Sequence, residues 1–440
     1  MKKVKRRSMS LLCLVLLIAA GLSFYIFRYV TQGADWVSFA SNQTVYSQGQ
    51  LMMGTIYDRN GIVLASVEGD ERVYAESKDI RKATLHAVGD LSGNIGTGAL
   101  TAFSPELIGY DPVNGAYSVG STGGEVHLSI DAELNAVALE ALDGRKGVVA
   151  VSNYETGEII CMVSSPTFDP CDPPADFDDE KYDGVYINRF LSSAYTPGST
   201  FKIVTLTAAL ENISRLSKRT FTCNGQVNIG GNIITCTGNH GEINIEEAFA
   251  VSCNCAFGEL AAELGSETLA EYAEEFGLTE SMSIDGITTA PGRYEVTEDK
   301  AHTAWSGIGQ FTDMINPAAM LRLVGAVAND GVAADLTLRL DGSNSETRIM
   351  KGSTAKEVAE MMNYNVHYTY GTDNYPGLEL YAKSGTAEVG SDEKATALFV
   401  GFIEDEDHPY AFVVIIENGG GGSKNAGPVA NTVLQAAVNR

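Results

Sequence analysis

The sequence predicts an α+β domain, an antiparallel sheet beside a helical lobe, joined through a short pedestal module to one N-terminal membrane anchor. Three observations predict it. Residues 125–440 carry strand patterns at both ends and helical patterns between them, the order expected when the two ends pair in one sheet and the middle forms its own lobe. Residues 11–27 form a continuous apolar run behind a basic cluster. Residues 31–124 are rich in Gly, Ser and Asn and show only short strand patterns.

The elements follow in order. Lys2, Lys3, Lys5, Arg6 and Arg7 precede the apolar run. At about 1.5 Å per residue its 17 residues span roughly 25 Å, enough for a bilayer core with help from flanking aromatics. The basic cluster places residues 1–8 in the cytoplasm, 9–30 as the anchor and the remainder outside. A cleaved signal peptide is the rival reading, and the lack of a clean small-x-small site after the run favours the anchor. Residues 31–124 are the pedestal and 125–440 the main domain. Within it a strand pattern at 126–130 leads into a helix at 131–142, then a hairpin of 148–152 with 158–163. A mostly helical region covers 199–330. A strand at 378–389, a hairpin of 396–403 with 410–417 and a helix at 428–439 close the chain.

Charge and cysteines bound the function. There are 56 acidic against 30 basic residues, which argues against nucleic-acid binding and against an electrostatic hold on anionic lipid. Cys13 lies in the anchor and Cys161 in a strand pattern. Cys223 and Cys236 flank a hairpin pattern with a Gly230-Gly231 turn, where an extracytoplasmic setting permits a disulfide that sequence alone does not decide. Cys253 and Cys255 read as small buried fillers. The cysteine spacings do not make a zinc site and the six histidines are scattered, so no metal and no cofactor are expected.

The chemistry is carried by three short motifs. In Tyr195-Thr-Pro-Gly-Ser-Thr-Phe-Lys202 a Pro-Gly turn runs into Ser199 and a helical pattern. Ser199 and Lys202 share one helix face at that spacing, which lets a lysine amine take the proton of an otherwise weak serine nucleophile. Ser-x-x-Lys also occurs at Ser353/Lys356, in an ordinary amphipathic helix pattern, and at Ser391/Lys394, in a charged turn. Only Ser199 opens an apolar helix after a Pro-Gly turn. Ser252-Cys-Asn254 lies between two helical patterns, with a second Ser-x-Asn at Ser92/Asn94 in a Gly-rich loop, and Lys383-Ser-Gly-Thr386 ends a strand pattern. A nucleophile tetrad, a polar triplet and a basic strand motif in this order form the serine penicillin-recognising arrangement.

With these motifs the chain resembles the class B penicillin-binding proteins, the D,D-transpeptidases of bacterial cell-wall synthesis, over nearly its whole length. Residues 147–170, Asn188-Arg189, Gly307-Ile-Gly-Gln310, Asn316-Pro-Ala-Ala-Met-Leu321 and residues 54–65 carry the resemblance outside the motifs. Met53 stands where the family usually has Arg, Phe311 where it has Gly, and Ser384 where Thr is commoner. The resemblance implies the penicillin-binding/serine β-lactamase-like transpeptidase fold. It implies Ser199 as nucleophile toward peptides ending in D-Ala-D-Ala and Lys202 as general base, with a nearby Lys383 charge lowering its pKa. Ser252 relays the proton to the leaving amine and Asn254 holds the substrate backbone. Lys383, Ser384, Gly385 and Thr386 line the strand that binds the substrate, and the backbone N–H groups of Ser199 and Thr386 form the oxyanion hole.

The implied partners are peptidoglycan stem peptides, β-lactams, the cytoplasmic membrane and a separate membrane glycan polymerase, since residues 31–124 are too short for that activity. A D,D-carboxypeptidase, a β-lactamase, a β-lactam sensor and a non-catalytic wall-synthesis scaffold are the alternatives. No Glu-x-x-Leu-Asn device for hydrolysis follows the nucleophile, an N-terminus of about eight residues leaves no room for a cytoplasmic signalling part, and all three motifs are intact.

Overall fold

The computed structural model describes residues 2–37, 46–47, 50–69, 71–111, 115–116, 123–342, 345–388 and 394–440. Its centre is a five-stranded sheet in the order Ile159–Ser165, Gly147–Asn153, Tyr410–Ile416, Thr396–Ile403, Leu380–Ala387. Every neighbour is antiparallel. The two ends of the domain meet where Ile416 pairs with Gly147 and Tyr410 with Asn153. Successive strand side chains point to opposite faces. Val149, Val151, Phe399, Phe412 and Val414 face one way and pack with Leu134, Ala138, Val433 and Leu434 of the helices Ala132–Leu142 and Gly427–Val438. Val148, Ala150, Leu398, Val400, Val413 and Ile415 face the other way, into the helical lobe. Both faces are covered, and the central strands therefore read as unbroken apolar runs rather than alternating ones.

The lobe holds the helices Lys202–Asn212, Ile245–Ala250, Asn254–Leu264, Ser266–Glu275, Lys300–Gly307 and Pro317–Ala328. Three small sheets interrupt it, one of them pairing Ser283–Ile284 with Ile287–Thr288. Phe221–Cys223 pairs with Gly241–Ile243, and Gln226–Ile229 pairs with Asn232–Thr235 around Gly230 and Gly231. Both glycines have positive φ, as a two-residue hairpin turn of this kind requires. Helix starts are fixed by side chains. Asn244 and Glu247 form a capping box, and the Asn316 side chain accepts from the Ala318 N–H ahead of a helix with Pro317 in its first turn.

The strand Glu125–His127 joins a separate four-stranded sheet with residues 55–74 rather than the main one. It runs parallel to Thr55–Tyr57, in the order Glu71–Tyr74, Val63–Glu68, Thr55–Tyr57, Glu125–His127. Arg81 ties the N-terminal segment to the loop after the strand Ile159–Ser165 through two hydrogen bonds to Asp169 at 2.8 and 2.7 Å. The helix Lys2–Val37 is exposed along its apolar length, and among the described residues it is the one helix long and apolar enough to cross a membrane. It fits a single-pass anchor. Val389 at the end of the expected strand and Ser391 of the third Ser-x-x-Lys lie outside the described residues.

Candidate active site

The nucleophile segment is pinned before it reaches Ser199. The Tyr195 N–H donates to Ile315 O at 2.9 Å, and the Gly198 N–H donates to Gly309 O at 2.8 Å. Gly198 has φ +53°, and a Cβ there would stand 2.9 Å from Thr386 O, so glycine lets the turn lie against the edge strand. One 3₁₀ turn, Gly198–Phe201, then feeds the helix Lys202–Asn212, in which Lys202 through Ala209 are all buried. Lys202 Nζ stands 3.1 Å from Ser199 Oγ.

The second motif closes on the same lysine. Ser252 sits at φ +53° between the helices Ile245–Ala250 and Asn254–Leu264, a left-handed conformation uncommon for serine and typical of strained functional positions. That turn aims three oxygens at Lys202 Nζ: Ser252 O at 2.7 Å, Ser252 Oγ at 3.1 Å and Asn254 Oδ1 at 2.7 Å. The third motif lies on the edge strand Leu380–Ala387. Lys383 Nζ donates to Ser252 Oγ at 3.1 Å, so one hydroxyl bridges two lysines, and also to Ser384 O at 3.1 Å. Gly385 is buried, while Thr386 is exposed.

Both lysines are fully buried in the protein. Burial lowers the Lys202 pKa to about 8. Burial also pushes Lys383 well below the ordinary lysine range, and the Lys202 charge pushes it further. The sequence reading had Lys383 as the resident cation. The structure gives it no carboxylate to hold its proton, and its partners are a hydroxyl and a carbonyl. The two amines meet on one hydroxyl, so a proton on either disfavours a proton on the other.

Two supporting residues were not singled out from sequence. Tyr370 OH accepts the Ser384 N–H at 2.7 Å and donates to Ser384 Oγ at 2.8 Å. Asn365 Nδ2 donates to Tyr370 OH at 2.8 Å and to Ala382 O at 2.9 Å. Both stand near the end of the Gly352–Asn365 helix, where the residues themselves give no sign of a role. Gln310, in the loop after the Lys300–Gly307 helix, donates from Nε2 to Thr386 O at 3.3 Å. Ser353 and Lys356 are exposed near the start of the Gly352–Asn365 helix, at the end opposite Asn365, and Ser92 is exposed in a turn organised by Asp90.

The lobe cysteines lie together, and the Cys223–Cys236 pairing that the sequence leaves open is not made. Cys223 and Cys236 are both free. The short sulfur contacts are Cys223 with Cys255 at 3.6 Å and Cys236 with Cys253 at 3.9 Å. Cys253 and Cys255 are buried, but they are more than fillers. With Cys223, Cys236 and His240 they form one cluster, against the expectation that the spacings bring no metal-ligating groups together. The donors come from a strand, a hairpin end, a loop and a helix cap, so no short-range spacing announces them.

Comparison with known proteins agrees with this geometry. Residues 147–435 match the penicillin binding protein transpeptidase domain. The chain belongs to that family. Among curated family members it is 29% identical over 363 residues to the peptidoglycan D,D-transpeptidase PbpA of Mycolicibacterium smegmatis, covering 72% of this chain and 73% of that one. It is 27% identical to stage V sporulation protein D of Bacillus subtilis, over 72% of this chain and 53% of that protein. Among solved structures, the D,D-transpeptidase domain of a peptidoglycan glycosyltransferase from Eggerthella lenta superposes with a TM-score of 0.76 at 28% identity, over 88% of this chain and 98% of that one. An acyl-enzyme complex of penicillin-binding protein A from M. tuberculosis has a TM-score of 0.77 at 24% identity, over 88% and 98%, and shares the fold.

Proposed function

We propose that this chain is a peptidoglycan D,D-transpeptidase that cross-links stem peptides through a Ser199 acyl-enzyme and is acylated at the same serine by β-lactams. The observation that carries the reading is the chain Ser199 Oγ, Lys202 Nζ, Ser252 Oγ, Lys383 Nζ, with each step 3.1 Å. A nucleophile, a base of lowered pKa and a second buried amine are thereby linked through one hydroxyl.

The reaction follows from the charges. A stem peptide brings a terminal carboxylate to Lys383 beside Ser384 and Thr386. That anion raises the proton affinity of Lys383, and the pair's one proton moves from Lys202 to Lys383 through Ser252 Oγ. Lys202, now neutral, takes the Ser199 proton as Oγ attacks the carbonyl of the penultimate D-Ala. The backbone N–H groups of Ser199 and Thr386 hold the oxyanion, each worth about 3–4 kcal/mol in such sites. The proton passes by way of Ser252 to the departing amine, the C–N bond breaks and D-Ala leaves. Asn254 holds the peptide backbone and keeps Lys202 in place. An amine of a neighbouring stem peptide then attacks the ester and gives up a proton to Lys202, which passes it to Ser199 Oγ as the ester C–O bond breaks, forming the cross-link and restoring the serine.

The anchor is single-pass with its basic end in the cytoplasm, residues 31–124 form a pedestal, and residues 125–440 work outside the membrane. A separate membrane glycan polymerase supplies the strands to be linked. No carboxylate hydrogen-bonds Ser199, Lys202 or Ser252 among the described residues, which disfavours a water-activating β-lactamase device. The test is a donor peptide ending in D-Ala-D-Ala offered with a D-amino acid acceptor, and the products separated by mass. Formation of the exchanged peptide supports transpeptidation. Hydrolysis alone makes the chain a carboxypeptidase, and no turnover by folded protein makes it a scaffold.

A further inference from the structure

The second motif is built on an unassigned cluster of soft donors. Cys253 lies between Ser252 and Asn254, and Cys236 follows the hairpin strand Asn232–Thr235. Cys223 ends the strand Phe221–Cys223, and His240 lies in the loop before Gly241–Ile243. One donor atom from each of Cys223, Cys236, His240 and Cys253 falls within 4.8 Å of all the others. Cys236 Sγ is 3.9 Å from Cys253 Sγ and 3.6 Å from His240 Nδ1. A tetrahedral zinc ion with Zn–S of about 2.3 Å needs ligand sulfurs about 3.8 Å apart and a sulfur–nitrogen edge of about 3.6 Å. These two separations match those edges and are far from the roughly 2.05 Å of a disulfide. The other four lie within 4.8 Å.

The geometry points to a structural zinc site formed by Cys223, Cys236, Cys253 and His240, which fixes the Ser252-Cys-Asn254 turn against the hairpin. Three thiolates and a neutral imidazole are a donor set that selects zinc over hard cations, and binding releases the three thiol protons. The ligands are held from outside. The Asn254 N–H donates to Cys236 Sγ at 3.2 Å, and Asn254 Nδ2 donates to Thr235 O at 3.0 Å. A sulfur bound to the metal thus also steadies the residue whose Oδ1 holds Lys202 at 2.7 Å. With four ligands the coordination is closed, so the ion has a structural and positioning role and takes no part in acyl transfer. Cys255 Sγ, 3.6 Å from Cys223 Sγ, lies beside these four donors and is assigned no bond to the ion.

The test measures zinc in the full-length chain purified in detergent with a thiol reductant and no added metal, by elemental mass spectrometry. The expected result is about one zinc per chain, retained in Cys255→Ser and reduced to roughly a tenth or less in Cys223→Ser and His240→Ala. If those variants fail to fold, cobalt substituted into the wild-type chain supplies the answer. Thiolate-to-cobalt absorption in the near ultraviolet with strong tetrahedral visible bands supports the site. Folded wild type that labels with penicillin yet carries no zinc and takes up no cobalt overturns the proposal. So does a mass deficit showing Cys223–Cys255 or Cys236–Cys253 disulfides, or retention of zinc in both ligand variants. Loss of zinc from Cys255→Ser overturns the ligand assignment. Zinc content is read without turnover, so the outcome is separable from the transpeptidase reading.

Discussion

Acylation by a carboxylate-bearing β-lactam should fall as pH rises above about 8, and removing Lys383 should reverse that slope. The perturbation is pH, applied to wild type and to Lys383→Met. In the wild type the two buried amines share Ser252 Oγ, and the proposed mechanism has them hold one proton between them. That proton rests on Lys202, whose pKa burial lowers to about 8. The productive complex needs the same single proton on Lys383, facing the carboxylate, with Lys202 neutral. Losing the last proton therefore removes the cation that binds the ligand, although Lys202 is then free to act as base. With a transition at about 8, roughly nine-tenths of the pairs are productive at about pH 7 and roughly one-tenth at about pH 9. The second-order acylation rate should thus drop about tenfold between those values and about tenfold more over the next unit. In Lys383→Met the base stands alone and works only when neutral, so the rate should be roughly 100-fold lower at neutral pH and climb with pH through the same window. Stopped-flow fluorescence with a labelled penicillin on the purified chain gives both profiles. Parallel profiles in the two proteins, or a wild-type rate that keeps climbing above about pH 9, would refute the shared-proton reasoning.

The remaining predictions concern packing and positioning. Asn254→Ala removes the 2.7 Å acceptor of Lys202 Nζ and should slow acylation by roughly ten- to a hundredfold, the equivalent of about 1.5–3 kcal/mol, measured by penicillin labelling time courses. Gly309→Ala puts a Cβ 1.8 Å from Gly198 O at a residue with φ +78°; labelling should be largely lost in protein whose circular dichroism still shows a folded domain. Phe399→Ala empties the centre of the sheet beside Tyr370, Tyr375 and Phe412, and should destabilise the domain by about 3–5 kcal/mol in denaturant unfolding.

The central sheet was legible in the sequence because its local rules agree. Runs such as Val148–Val151 and Phe412–Ile416 are apolar on both faces, short turns separate them, and strands at both ends of a domain have each other as partners. The motif residues were legible because serine, lysine and asparagine at those spacings have a chemical use, and the structure brings Ser199, Lys202, Ser252, Asn254 and Lys383 into one hydrogen-bonded group. What stayed hidden depends on contacts between distant segments. The pairing of Glu125–His127 with Thr55–Tyr57 adds a parallel strand to the sheet of residues 55–74, and three residues carry too little pattern to reveal it. Tyr370 reaches Ser384 only because the Gly352–Asn365 helix packs along the edge strand. The lowered pKa of Lys383 follows from its complete burial, which the polar surroundings of its motif do not suggest. The thiol cluster escaped for the same reason, since Cys223, Cys236, His240 and Cys253 stand four to thirteen residues from one another in succession and meet only in the folded lobe.

The measurement that bears most directly on the central claim is covalent labelling of the full-length chain with a fluorescent penicillin, wild type beside Ser199→Ala, followed over hours. The account predicts one stable labelled band in the wild type and none in the variant, with the label on the peptide containing Ser199. A band that persists in Ser199→Ala, or one that forms and vanishes within seconds in the wild type, would contradict it.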